Sequence, residues 1–220
     1  KRGWRRFQGR APLAETLAAA VVLLSDWDCR SPLIDPFCGS GTLLVEAALL
    51  AGGFPPGLYR DRFAFEKLPQ HDPAAWQQLK RSCLEKGAYP PKLILRGVDL
   101  DQSTVSGALE NLDAIGLPQK CFRVEQGNAL ETQFRAGWNG WVVTNPPYGE
   151  RVGDVSRLKE LYRRFGALLR EKCGGYHLAL LSGNPSLAQC LGFEAAASVS
   201  LKNGAIDCQL LKLEVPRPDR

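Results

Sequence analysis

The sequence lacks several features that would place it in a common class of protein. No apolar run reaches the roughly 18 residues that a membrane-spanning helix needs, and the apolar stretch that includes Ala18 to Leu24 continues a helical pattern. The chain contains no methionine, and its first residues form no signal-peptide core. We therefore expect a segment of a longer cytoplasmic protein with no membrane partner, and we expect it to be a monomer.

Patterns typical of disulfide frameworks and metal sites are also missing. The 7 cysteines are widely spaced and form no C-x-x-C pair, and their number is odd. The only two histidines, His71 and His177, lie far apart. The sequence predicts reduced cysteines and no bound metal.

Positive charge is concentrated at one end of the chain. The net charge is +5, from 28 Lys+Arg against 23 Asp+Glu, and Lys1, Arg2, Arg5, Arg6 and Arg10 account for all of the excess. This pattern predicts a neutral globular body preceded by a basic arm that could contact nucleic-acid phosphates.

Strand and helix patterns alternate along most of the chain, which favours an α/β fold with a mostly parallel, doubly wound sheet. Asn203-Gly204 marks a terminal hairpin that would add an antiparallel strand. We expect a linker and first helix over residues 1–25, a main domain over 26–220 and an insertion at about 52–92. The predicted strands are Leu33–Phe37, Leu93–Val98, Phe122–Glu125, Trp141–Thr144, Tyr176–Leu181, Phe193–Leu201 and Ala205–Val215, and the predicted helices include Pro12–Ser25, Thr42–Ala51, Asp101–Ile115 and Val155–Lys172.

The first motif with chemical meaning is a glycine turn between the first strand and the second helix. It has the sequence D-P-F-C-G-S-G-T over residues 35–42. Glycines let a ligand approach the backbone closely, and the helix start presents free N–H groups. The segment is neither a P-loop nor a complete dinucleotide fingerprint. Asp35 disfavours a phosphate here and favours a cationic group such as an amine.

Two further positions follow the neighbouring strands. Asp99 ends a strand, where a carboxylate can accept hydrogen bonds from both hydroxyls of a ribose. Asp101 is better suited to cap the next helix. Asn128 follows the third strand and either contacts an adenine edge or simply forms a turn.

The third motif is Asn145-Pro146-Pro147-Tyr148, directly after a buried strand. An exocyclic amine on a base is a poor nucleophile because its lone pair is delocalised into the ring. The side-chain oxygen of Asn145 and the carbonyl of Pro146 could accept hydrogen bonds from its N–H groups and stabilise the charge that develops during attack. The prolines would stiffen the loop, and Tyr148 could stack on an unpaired base.

Together these residues resemble the class I S-adenosylmethionine-dependent amino-methyltransferases. The segment from Lys1 to Arg5, the A-P-L-A-E-T-L-A-A-A run over residues 11–20 and the N-P-P-Y-G-E-R run over 145–151 are similar to the THUMP-associated RNA methyltransferases. The bacterial 23S rRNA guanine-N2 methyltransferases of the RlmL type are similar at three places: Pro56-Gly57-Leu58, the Gln70-His71-Asp72…Trp76 insertion, and Lys202-Asn203-Gly204…Asp207-Cys208. The resemblance covers nearly the whole chain.

The resemblance implies a Rossmann-like class I fold with a seven-stranded sheet. It further implies S-adenosylmethionine as cofactor, 23S rRNA as partner, an upstream THUMP domain and, in many bacteria, a second methyltransferase domain downstream. The implied cofactor-binding residues are Asp35, Phe37, Cys38, Gly39, Ser40, Gly41, Thr42, Asp99, Leu100, Asn128 and Ala129; the catalytic residues are Asn145, Pro146, Pro147 and Tyr148; and the RNA-binding residues are Arg2, Arg5, Arg6 and Arg151.

Two other functions remain open from the sequence. The N-P-P-Y motif does not separate guanine N2 from adenine N6, so an adenine-N6 or other amino-methyltransferase acting on DNA or another RNA is an alternative. Asn128 stands where many class I enzymes have aspartate, and Phe37-Cys38 departs from the usual residues of the turn. A catalytically silent RNA-binding module is the third hypothesis, which the intact motifs disfavour.

Overall fold

The computed structural model describes residues 1–9, 12–148 and 155–217. Within them the chain forms one seven-stranded sheet flanked by six α-helices. The strands are β1 Leu33–Asp35, β2 Leu95–Asp99, β3 Phe122–Gln126, β4 Trp141–Thr144, β5 His177–Ser182, β6 Ala197–Asn203 and β7 Ile206–Glu214. The helices are α1 Glu15–Leu24, α2 Thr42–Ala51, α3 Pro73–Lys86, α4 Gln102–Asp113, α5 Val155–Lys172 and α6 Pro185–Gln189.

The order of strands across the sheet is β3-β2-β1-β4-β5-β7-β6. Strands β1 to β5 pair in parallel, and β7 lies antiparallel between β5 and β6. This confirms the predicted mostly parallel, doubly wound sheet with an antiparallel hairpin strand. The strand order reverses between β1 and β4, so the crevice outside the ends of these two strands is where such a sheet binds ligands.

Adjacent residues of the central strands belong to two separate hydrophobic cores, because side chains of a strand alternate between the faces of the sheet. Leu33 packs in the core that contains α1, α2 and α4, whereas Ile34 packs in the core that contains α5 and α6. Val143 and Val142 of β4 divide in the same way. Burial on both faces explains why these strands are continuously apolar in the sequence.

Several element boundaries differ from the prediction. The first strand ends at Asp35 because Pro36 has no N–H to extend the ladder. Strand β6 begins at Ala197 instead of Phe193.

Helix α5 and strand β4 have the predicted bounds, and Asp101 caps α4 as expected by accepting a hydrogen bond from the backbone N–H of Thr104. None of the helices in the described ranges is long and apolar enough to cross a bilayer.

The basic arm packs on the body instead of extending into solvent. Trp4 is fully buried, and its indole N–H donates to the carboxylate of Glu46 on α2. Gly3 lies so close to the segment between α2 and β2 that a Cβ there would come within 1.9 Å of the Tyr59 carbonyl oxygen. The hydroxyls of Tyr59 and Tyr89 both donate to the carbonyl of Ile115, just after α4. The arm, the segment between α2 and β2, and the end of α4 therefore support one another.

Replacing Gly166 of α5 by alanine should destabilise the protein. A Gly→Ala change inside a helix ordinarily stabilises it by about 0.5–1 kcal/mol. Here a Cβ would come within 2.0 Å of the backbone carbonyl oxygen of Leu191, and α5 would have to move away from the segment after α6. We expect a loss of about 1–3 kcal/mol in the free energy of unfolding, measured by urea denaturation. The exposed Arg164→Ala on the same helix is the control, and a stabilising Gly166→Ala would contradict this packing.

Candidate functional site

The glycine turn has the backbone conformation that its glycines permit. Gly39 and Gly41 have φ of 53° and 74°, in the left-handed region that residues with a Cβ rarely adopt. Gly41 is the N-cap of α2, and a Cβ there would lie 3.1 Å from the Cβ of Ala108 on α4. The turn therefore brings the start of α2 close to the sheet and leaves room for a ligand beside its backbone.

Asp99 is held against this turn at the end of β2. One carboxylate oxygen accepts from the Gly39 backbone N–H at 3.1 Å, and the other accepts from the Asp101 N–H at 3.0 Å. A carboxylate offers about four lone-pair positions, so two remain after these bonds. Asp99 is only half-buried, so a ligand can reach its free lone pairs.

Asp35 lies at the end of β1 and is only 1% exposed. Its Oδ1 accepts a hydrogen bond of 2.6 Å from the Thr144 hydroxyl and one of 3.2 Å from the Phe37 backbone N–H. Burial is the main influence on this group and raises its pKa to about 7, with Thr144 and Phe37 opposing the rise and Asp99 adding to it. Asp35 is therefore a carboxyl group whose charge depends strongly on what binds beside it.

The Asn145–Tyr148 loop continues directly from Thr144. The Oδ1 atom of Asn145 is buried and accepts no hydrogen bond from the residues that the structure describes. A buried acceptor without a donor is costly, and in a functional site it marks the position of a missing partner. Pro146 is buried and Pro147 is exposed.

Tyr148 is positioned by the terminal hairpin. Its hydroxyl oxygen accepts a 2.6 Å hydrogen bond from the side-chain amide of Asn203, at the end of β6. Its ring also lies against Gly183, where a Cβ would approach within 2.9 Å. Sequence reasoning assigned Asn203 only to a turn; no local signal pointed to this contact, because the two residues are 55 positions apart.

A cavity of about 220 Å³ at the β1–β4 crevice is lined by Asp35, Asp99, Asn145 and most of the glycine turn. Gly41 and the loop residues Pro146, Pro147 and Tyr148 are not among its lining residues. The cavity contains two carboxylates and, among the described residues, no lysine or arginine. This charge suits a ligand with a cationic end and hydroxyl groups, and disfavours a phosphate. The lining residues are Gly9, Pro12, Leu13, Asp35, Phe37, Cys38, Gly39, Ser40, Thr42, Leu43, Asp99, Thr104 and Asn145.

Three predicted cofactor-binding residues are placed differently. Asn128 lines a second cavity of about 180 Å³, and its side chain accepts from the Leu130 backbone N–H as the cap of a short 3-10 helix. Ala129 is buried in that helix. Leu100 follows Asp99 and is 71% exposed, which leaves an apolar surface that a planar ring could cover. The turn role considered for Asn128 is observed.

Phe37 and Cys38 hold the glycine turn in place by packing against neighbouring residues. Phe37 packs edge-on against Phe165 of α5, with ring centroids 5.2 Å apart. Burial, with the nearby carboxylates, raises the pKa of the Cys38 thiol well above its ordinary value. A buried, protonated thiol is unreactive, so Cys38 packs and does not act as a nucleophile. Among the described residues no group of three or more His, Cys, Asp or Glu side chains could hold a metal.

The arginines predicted to contact RNA fall into three situations. Arg2 pairs with the buried carboxylate of Glu46 at 2.6 Å, and Arg5 pairs with Glu15 at 3.1 Å. Arg6 is exposed. Arg151 lies outside the described residues.

The chain matches a known family and curated relatives over nearly its whole length. The UPF0020 family model, described as RMKL-like, methyltransferase domain, matches residues 2–212. The ribosomal RNA large subunit methyltransferase K/L of Chromohalobacter salexigens is 40% identical over 224 residues, which cover 98% of this chain. The chain spans only 30% of the length of that curated relative.

Solved structures share the whole fold. The chain is similar to SMU.472, a methyltransferase crystallised with SAH, with a TM-score of 0.88, 32% identity and coverage of 100% of this chain and 56% of the other. It also resembles a predicted N6-adenine-specific DNA methylase from Listeria monocytogenes, with a TM-score of 0.83, 30% identity and coverage of 98% and 55%. The fold is thus that of the class I methyltransferases, and the chain belongs to the UPF0020 family of RMKL-like methyltransferase domains.

Proposed function

We propose that this chain transfers a methyl group from S-adenosylmethionine to the exocyclic N2 amine of a guanine in 23S rRNA. The observation that carries the proposal is the buried Oδ1 of Asn145, which has no hydrogen-bond donor among the described residues and lies in a cavity lined by two carboxylates. The 40% identity to a ribosomal RNA large subunit methyltransferase supports ribosomal RNA as the substrate. This function places the protein in the cytoplasm.

The residues of the cavity fit the cofactor by charge and shape. Asp35 can accept from the ammonium group of its amino-acid end, and Asp99 can accept from the ribose hydroxyls through its free lone pairs. The turn of Gly39 and Gly41 lets the ligand lie against the backbone. When bound, S-adenosylmethionine supplies an electrophilic methyl group on a positively charged sulfur.

Asn145 and Pro146 supply the acceptors for the base. The Asn145 side-chain oxygen and the Pro146 carbonyl bind the two N–H groups of the exocyclic amine and draw its lone pair out of conjugation with the ring. These acceptors stabilise the positive charge that develops on the nitrogen as it accepts the methyl group and S-adenosylhomocysteine is left as the product. The methylated nitrogen is acidic and releases one proton to water, so no general base is required. Tyr148, held by Asn203, stacks on a base that has left its helix or loop.

RNA also needs contacts away from the cavity. Phosphate contacts supply salt-dependent affinity without sequence preference. We assign these to the arm and to Arg151, with Arg6 the most available arginine of the arm, because Arg2 and Arg5 already pair with carboxylates. The chain spans 30% of the length of the Chromohalobacter relative, which supports further domains beside it. We assign an upstream THUMP domain and, in some proteins, a second methyltransferase domain downstream from the family resemblance, and we propose that the protein acts as a monomer.

The identity of the methylated base tests the substrate assignment. Incubating the protein with labelled S-adenosylmethionine and unmodified 23S rRNA, then digesting the RNA, should yield N2-methylguanosine. N6-methyladenosine instead would establish the alternative that the Listeria relative favours. A protein that binds S-adenosylmethionine but methylates neither RNA nor DNA would be the silent binding module.

Replacing Asn145 by alanine should abolish turnover while keeping the cofactor. Loss of one acceptor for the developing charge predicts a fall in kcat of about 10²- to 10³-fold, with the Kd for S-adenosylmethionine within about threefold of wild type. Single-turnover kinetics and calorimetry measure the two quantities. Asn139→Gly, which removes an asparagine side chain just before the other end of β4, should leave both unchanged. Equal losses of kcat and affinity in Asn145→Ala would mean that Asn145 mainly holds the cofactor.

Affinity for S-adenosylmethionine should increase as pH rises towards 7. Burial raises the pKa of Asp35 from 3.8 to about 7. In the free protein the carboxyl group is therefore mostly protonated below about pH 7. A cationic ammonium group needs the ionised carboxylate, and binding must therefore release a proton below pH 7. Because the pKa of Asp35 is higher in the folded protein than in the unfolded chain, the free energy of unfolding should also fall as pH rises from 3.8 to about 7.

Calorimetry in two buffers of different ionisation enthalpy measures the released proton. Asp35→Asn should bind weakly and without this pH dependence. Affinity that stays flat from about pH 5.5 to 8 in the wild-type protein would contradict the assignment of Asp35 to the ammonium group.

A further inference from the structure

Asn111 links helix α4 to the N-terminal arm and to the glycine turn, three parts of the chain that the proposed chemistry does not connect. It is fully buried, and its side-chain amide donates to the carbonyls of Ser40 at 2.9 Å and Phe7 at 3.0 Å. Its Oδ1 accepts from the backbone N–H groups of Arg6 at 2.7 Å and Phe7 at 3.0 Å. An asparagine side chain has two donors and two acceptor lone pairs, so every one of them is used.

Three of these four bonds hold the arm, and the fourth holds the glycine turn. Ser40 lies between the two glycines with left-handed backbone, and its carbonyl direction fixes how the turn faces the cavity. Without Asn111 the carbonyl of Ser40 and the polar groups of the arm would be left without their partner, which is costly in a buried place.

The packing of Phe7 on α4 also holds the arm beside Asn111. The ring of Phe7 lies over Gly107, which is one helical turn before Asn111 on the same face of α4. A Cβ on Gly107 would come within 2.0 Å of that ring. Arg5 adds a second link, since its guanidinium donates to the Ser40 hydroxyl at 3.4 Å and to the Leu13 carbonyl at 3.0 Å.

Gly9, Pro12 and Leu13 form part of the wall of the cofactor cavity, which Asp35 and Asn145 also line. The position of this wall depends on where the arm is fixed, and the arm is fixed by Asn111.

We infer that Asn111 is a positioning residue for cofactor binding, which clamps the N-terminal arm onto the glycine turn so that arm docking and cofactor binding stabilise each other. By linkage, a ligand that favours the docked arm must itself bind more tightly when the arm is docked. The inference rests on the proposed function, because the ligand is S-adenosylmethionine. Asn111 touches neither substrate nor reacting atoms and acts through Ser40 and the arm.

Three variants and one probe test this coupling. S-adenosylhomocysteine is the probe, and its Kd is measured by calorimetry for wild type, Asn111→Ala, Gly107→Ala and Leu169→Ala. Asn111→Ala should raise the Kd at least tenfold. Gly107→Ala keeps Asn111 and displaces Phe7 alone, and it should raise the Kd severalfold. Leu169 is fully buried in the core on the opposite face of the sheet, so Leu169→Ala should lower stability and leave the Kd within twofold.

Hydrogen exchange supplies a readout that a merely structural role would not change. In the wild-type protein S-adenosylhomocysteine should slow exchange of the Arg6 and Phe7 amides at least tenfold, and this protection should vanish in Gly107→Ala. Ligand-independent exchange of these amides, or a Kd within twofold of wild type in both arm variants, would overturn the inference and leave the proposed function intact. A wild-type protein that binds no S-adenosylhomocysteine would overturn the proposed function itself.

Discussion

The buried hydrogen bond between the Thr144 hydroxyl and the Asp35 carboxylate joins the two halves of the site. Asp35 ends β1 and opens the glycine turn, whereas Thr144 ends β4 and is followed directly by Asn145. Their strands are neighbours at the point where the order of the sheet reverses. One contact of 2.6 Å therefore sets the position of the Asn145–Tyr148 loop relative to the glycine turn. In the proposed mechanism this aligns the base with the cofactor, and positioning of this kind is a large part of catalysis.

The remaining structure supports that contact from both faces of the sheet. On one face Asn111 holds the turn and the arm, and on the other Phe165 packs against Phe37. The terminal hairpin reaches across to hold Tyr148 through Asn203. Each of these contacts joins residues that are distant in the chain and fixes a loop at the strand ends, which is where a doubly wound sheet places ligands.

Local patterns were sufficient for much of the fold and for the motifs. The apolar face of α5 predicts its bounds, Asn203-Gly204 predicts the hairpin, and Asp101 predicts the cap of α4. Contacts between distant residues were not predictable: Asn111 bonds residues more than 100 positions away, and it looks like any polar residue of an amphipathic helix. The sequence predicted a basic arm that could contact nucleic-acid phosphates, and its packing was missed because neither the partner of Trp4 nor that of Arg2 is visible in the sequence.

The central claim is that the cavity between β1 and β4 holds the methyl donor beside Asn145. A crystal structure with S-adenosylhomocysteine tests it most directly. We predict the amino group of the ligand on Asp35, the ribose hydroxyls on Asp99, the docked arm along one side and the Asn145 oxygen facing the emptied methyl position. A ligand bound elsewhere, or one that touches neither Asp35 nor Asp99, would contradict the account.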